Sequence, residues 1–442
     1  MGGQAFATHS PPLPTPRMPP EVFQLVLSQT HLVLRQYYSQ VESPIESPGK
    51  PSFGDVDFLV HGAMTKEFDP ANIEWNIVAE NLMYVLGAVA SIQQPGTSIV
   101  NLAVPWPAEG GEDKYVQIDI HYLTSPERFQ WELFHSAHGD MWNILGSTIR
   151  RFGLTVNDRG LYLRIPEIEL LDRKKSLVFL TESPSEVLEF IGLDESQWWK
   201  RFEDQDKMFE YAAGCRLFWV RQIDDEEAEF DVVGDLPADG GQEGGAAGRK
   251  KLKHNDRQRM SKRPIFWDWI NEFIPRCREE GRFTVQKTTR EDVREEAFQK
   301  FGVQKEYEEK LANWTLLRHK DEVWREAIKG SIPTENIDHQ FRSLPFQYTN
   351  SLDRAAAIRV IKGVVLDGEE FVGDLPAAVK PNEKGFYDVE AVKLFVEANW
   401  PKAATIGMAR QLEKARRMMK EKDEKKKRIA EEEAKKNGEA AD

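Results

Sequence analysis

The stretch Phe53-Gly54-Asp55-Val56-Asp57-Phe58-Leu59-Val60 decides the reading of this chain. A short apolar run follows a turn rich in Ser, Pro and Gly (residues 43–54), and two carboxylates are set into its start. Such a run of about six residues reads as a strand, in which residues two apart point to the same side. Val56 and Phe58 then enter the core while Asp55 and Asp57 project together from the other face. Two carboxylates in one small volume repel each other unless a cation compensates them. Oxygen ligands of that kind suit Mg²⁺ or Mn²⁺.

Working outward, a second strand is expected at Tyr115-Val116-Gln117-Ile118-Asp119-Ile120-His121-Tyr122, where one carboxylate again interrupts an alternating apolar pattern. If the two strands pair, Asp119 joins Asp55 and Asp57, and three carboxylates can clamp two divalent ions. Between them the pattern predicts a helix over 75–92, a strand over Ile99–Val104 and a loop over Pro105–Asp113. Before them, six prolines within residues 7–20 read as an extended arm, and Glu21 to about Val41 as a helix with Val22, Leu25, Val26, Gln29, Leu32 and Val33 near one face. Strands alternating with helices make this region α/β.

After residue 125 the helical signal dominates. One hairpin is expected at Leu154–Ile165 around Asn157-Asp158-Arg159-Gly160, and a capping box at Ser183/Glu186. His135-Ser136-Ala137-His138-Gly139-Asp140 reads as a loop feeding a helix over Met141–Phe152, whose start and Asn143 can face an anion or whose first turn Asp140 can simply cap. His135 and His138 lack partner ligands at zinc spacing. Nine acids between Asp224 and Glu243 give way to Gly and then to six basic residues, a composition that packs no core. Helical spacing resumes over 260–401, with Trp267, Trp269, Phe273, Trp314, Trp324 and Phe395 as expected core. Residues 402–442 carry 13 Lys or Arg against 9 Asp or Glu, which suits a solvated helix, with RNA contact or a nuclear address as the competing reading. The reading therefore divides the chain into 1–125, 126–223, a linker at 224–259, 260–401 and a tail at 402–442.

The 442 residues carry a formal charge of −14, which opposes long-range attraction to nucleic acid. No apolar run is long enough to cross a bilayer, no signal peptide precedes the Pro-rich stretch, and two cysteines, Cys215 and Cys277, cannot make a disulfide framework. A cytoplasmic or nuclear setting without membrane contact is expected.

A strand bearing Asp-x-Asp after a Ser/Gly turn, with a third Asp on a later strand, resembles the DNA polymerase β-like nucleotidyltransferase superfamily. Gly2-Gly3, Thr15-x-Arg17, Pro48-Gly49-Lys50, Gly54-Asp55-Val56-Asp57 and Val116-Gln117-Ile118-Asp119 are most similar to a group found in fungi and bacteriophages. The resemblance spans roughly residues 1–220. It implies a catalytic α/β domain with a short mixed sheet, followed by a mainly helical region. It further implies Asp55, Asp57 and Asp119 as ligands of two Mg²⁺ or Mn²⁺ ions, and Asp119 as the carboxylate beside the attacking hydroxyl. Ser47, Gly49, Lys50, Gly54, Arg17 and Asn143 would then surround a nucleoside triphosphate, with RNA or a small molecule as acceptor. The superfamily opens its site with a hydrophobic residue, Gly, then Gly or Ser; here Ile45-Glu46-Ser47 puts Glu46 in place of the glycine, with Gly49 and Lys50 as the nearest substitutes. The alternatives are a nucleotide- or RNA-binding scaffold of the same fold without turnover, and a helical adaptor built around residues 260–442.

Overall fold

The computed structural model describes residues 3–93, 96–107, 111, 113–220, 263–333, 351–369 and 375–439. The linker expected at 224–259 lies outside them. The chain forms two compact units, residues 1–307 and 308–442.

The first unit is built on a five-stranded mixed sheet: β1 (Tyr38–Glu42), β2 (Asp55–Ala63), β3 (Ala90–Gln93), β4 (Ile99–Pro105) and β5 (Tyr115–Tyr122), in the order β1-β2-β5-β4-β3. Only the β2–β5 pair is parallel. Strict alternation gives this sheet two unlike faces. Val56, Phe58, Val60, Val100, Leu102, Ile118 and Ile120 are buried under α1 (Pro20–Leu34) and α2 (Trp75–Val85), with Phe23 stacked on Phe53. On the opposite face, Leu59 and Leu123 pack with Phe129 of α3 (Pro126–Ser136), and the short turn Ala5–Thr8 seats Phe6 against Ala90 and Ala103. The acids of β2 and β5 share that second face.

Both helices end sooner than the periodicity predicts. α1 stops at Leu34, and Tyr38–Glu42, expected to be helical, becomes an edge strand because Tyr38 and Val41 are buried by pairing with β2. The buried stripe of α1 is Val22, Phe23, Val26, Thr30 and Leu34, so Leu25 and Leu32 face water. α2 stops at Val85, Gly87 turns the chain with φ +64°, and Ala90–Gln93 joins the sheet as β3.

The expected hairpin is present as β6 (Leu154–Asn157) and β7 (Gly160–Arg164), and a third strand, β8 (Leu177–Thr181), completes a small antiparallel sheet that helical spacing had hidden. Ser183 caps the helix Pro184–Ile191, but Glu186 does not close the box, since its carboxylate accepts from Thr181 instead. Trp269 and Phe273 are buried as expected, in a π turn just before Pro275, whose missing N–H relaxes the α pattern; Trp267 is largely exposed.

The second unit is helical. Its core joins Val323, Ala327 and Ile328 with Ala357 and Ile361 of the helix Ser351–Val365, and with Val392, Val396, Ala403 and Ala404 of Val389–Glu439. Trp324 and Phe395 pack partly buried against that core. Trp314 is half-buried, and Val389–Glu439 carries the tail as one helix through Pro401. Among the described residues no helix is long and apolar enough to cross a membrane.

Candidate functional site

The register of three neighbouring strands builds the site. Asp57 of β2 lies opposite Asp119 of β5, and Asp119 lies opposite Asn101 of β4; in the next row Asp55 pairs with Gln117 and Gln117 with Ala103. Directly paired residues share a face, so Asp55, Asp57, Asn101, Gln117 and Asp119 project together. Their neighbours along each strand, Val56, Phe58, Leu102, Ile118 and Ile120, are fixed in the opposite core, which pins the acids in register.

The three carboxylates differ in surroundings. Asp119, half-buried, accepts from Asn101 Nδ2 at 2.5 Å and from Gln117 Nε2 at 2.9 and 3.1 Å. Burial pushes its pKa above the usual carboxylate range, the two amides pull it back, and Asp55 raises it again. Asp55 accepts from the backbone N–H of Gly3 at 3.2 Å. Asp57 is exposed, yet the protein crowded around its carboxyl group solvates it poorly. That desolvation, followed by the charges of Asp55, Asp119 and Glu46, drives its pKa up to about 7, and Lys50 opposes the shift. The charge on this face is thus undercompensated.

Glu46 and Lys50 form an ion pair beside the acids, with Lys50 Nζ 5.4 Å from the centre of the Phe53 ring. Ser47 is buried against Gly139, whose φ of +61° and lack of a Cβ permit the contact; a side chain there would collide with the Ser47 hydroxyl. The His138 N–H donates to Ile45 O at 2.6 Å and its ring meets Trp198 O at 2.7 Å. The Ser47 loop is therefore held at the start of α4 (Met141–Ile149). Gly49 adopts φ +71° in open space.

Two expected residues are engaged elsewhere. Arg17 donates to Ser52 Oγ and Ser52 O at 2.8 and 2.6 Å, which fastens the arm to the turn before β2. Asn143 donates to Asp140 Oδ1 at 3.2 Å, and Asp140 pairs with Arg263 at 2.7 Å, so this helix start already has an anionic neighbour. Asn101 and Gln117 were not among the expected site residues. Asn101 alone breaks the apolar run of β4, and that polar interruption was the available signal.

The oxygen-only donor set suits a hard divalent cation, and the raised pKa of Asp57 marks where positive charge is wanted. Among the described residues no three His, Cys, Asp or Glu stand close enough to hold an ion as placed. Asp119 Oδ1 is engaged by both Asn101 and Gln117. Compared with known proteins, the chain matches no family model and no curated protein.

Proposed function

We propose that this chain is a divalent-cation-dependent nucleotidyltransferase, moving a nucleoside monophosphate from a nucleoside triphosphate to a hydroxyl acceptor such as RNA or a small molecule. The observation that carries the reading is the row of carboxylates on adjacent strands, Asp57 facing Asp119 with Asp55 one pleat away, backed by a fully buried face. Asp55, Asp57 and Asp119 would hold Mg²⁺ or Mn²⁺, which when bound would neutralise phosphate charge and acidify an attacking hydroxyl. The chain's own part is positioning and electrostatics. Asn101 and Gln117 aim Asp119, and Lys50 can exchange Glu46 for a phosphate oxygen. Ser47, fixed at the start of α4, presents a short polar loop with Gly49 beside the acids.

The test is release of pyrophosphate from each of the four ribonucleoside triphosphates, ATP included, with Mg²⁺ or Mn²⁺ and pooled RNA and small-molecule acceptors. Asp57→Asn is expected to lower turnover by about 10³-fold. Unchanged turnover in that variant would falsify the reading. The Glu46–Lys50 pair favours a second reading, nucleotide or RNA binding without turnover, because it occupies the lysine a triphosphate would need. Nucleotide binding indifferent to Mg²⁺, with no pyrophosphate formed, would decide for it.

A further inference from the structure

We infer that the segment Gly3–Ala5 is a positioning element of the carboxylate site, setting Asp55 directly and Asp119 through the Gln117 amide; this rests on the cation-binding reading above. The Gly3 N–H donates to Asp55 Oδ2 at 3.2 Å. Two residues on, the Ala5 N–H donates to Gln117 Oε1 at 2.9 Å. A carboxamide that accepts at its oxygen must turn its NH₂ the other way, and Gln117 Nε2 duly meets both oxygens of Asp119. Without the Ala5 N–H the Gln117 oxygen loses its donor, and one of the two contacts that fix the amide toward Asp119 is gone. Gln117 is only 4% exposed, so water is a poor substitute for that backbone donor.

The segment is held on three sides. Thr15 Oγ1 donates to Gly3 O at 2.5 Å, Phe6 is fully buried against Ala90 and Ala103, and the Tyr115 N–H donates to Pro14 O at 2.9 Å. Gly3 itself admits no replacement in place. Its φ is +81°, and a Cβ would run into the carbonyl oxygen of Gly54, the residue that opens the Asp-x-Asp strand. The close approach of these two glycines lets a backbone N–H reach Asp55 at all.

The test is Mn²⁺ affinity by paramagnetic resonance titration of the full chain, with thermal unfolding of the metal-free protein alongside. Gly3→Ala is expected to weaken Mn²⁺ binding by about 10-fold or more, and Thr15→Val by about 3-fold, with Thr15→Ser restoring it. Gly87→Ala, at an equally left-handed glycine (φ +64°) with open space around it, is the control for backbone strain and is expected to leave affinity unchanged. Should Gly3→Ala lose its fold, the Thr15 pair carries the decision. Unaltered affinity in Thr15→Val, or in a folded Gly3→Ala, overturns the inference while leaving the cation site standing. An unaltered protein that binds no Mn²⁺ overturns both.

Discussion

The two faces of the five-stranded sheet come from the same strands, yet one carries Val56, Phe58, Leu102, Ile118 and Ile120 and the other Asp55, Asp57, Asn101, Gln117 and Asp119. The first face stabilises by burial and is tuned for packing. The second concentrates negative charge and leaves Asp57 half-titrated near neutrality, which costs stability rather than adding it. Adjacent residues thus serve opposite ends, and the contrast teaches that the apolar face holds in place what the acidic face would push apart.

Breaking the apolar face gives the largest effect. Phe58→Ala, at a fully buried position, is expected to cost about 3–5 kcal/mol in urea or thermal unfolding. Next comes Asn101→Leu, which removes a buried donor from Asp119 and is expected to cost about 1–3 kcal/mol at neutral pH. That loss shrinks in acid, because the amide stabilises the ionised carboxylate, and stability curves at two pH values check it.

The acidic face reverses the sign. Because the folded-state pKa of Asp57 is raised to about 7 from the ordinary carboxylate value, the folded chain binds more protons than the unfolded one between about pH 4 and pH 7. Its contribution to stability is full below that window and lost as pH rises through it. Asp57→Asn is therefore expected to raise the metal-free unfolding midpoint at pH 8 by about 2 °C, a small effect because the side chain is open to water. A lower midpoint in this variant would show the two faces to be more alike than argued. The smallest effect is that of Glu46→Gln, which removes one charge acting on Asp57 and frees Lys50; the pH-dependent part of the unfolding midpoint is expected to move toward acid.

How much of this was legible in the sequence differs along the chain. β2 and β5 could be read because acids interrupt their apolar residues with period two, so that Asp55, Asp57 and Asp119 stand out, and β4 because it is a short apolar run. β1 and β3 could not, since Tyr38–Glu42 and Ala90–Gln93 continue helical patterns and only their pairing partners make them strands. Arg17 follows from the Thr15-x-Arg17 resemblance and Asn143 from its place at a helix start, whereas their hydrogen bonds depend on Ser52 and Asp140. Asn101 shows in the sequence only as a polar break in the apolar run of β4, and its role, like that of Gln117, comes from strand register. Gly3 depends on a contact with Gly54 across fifty residues of chain, a relation that spacing cannot express.

The parallel pairing of β2 with β5 has a temporal consequence. Asp57 and Asp119 are separated along the chain by α2, β3 and β4, because parallel neighbours need a long crossover, and such distant pairings are slow to close. During synthesis the first two acids emerge well before the third, and a chain interrupted ahead of Tyr115 would present an uncovered apolar edge on β2 in place of its parallel neighbour.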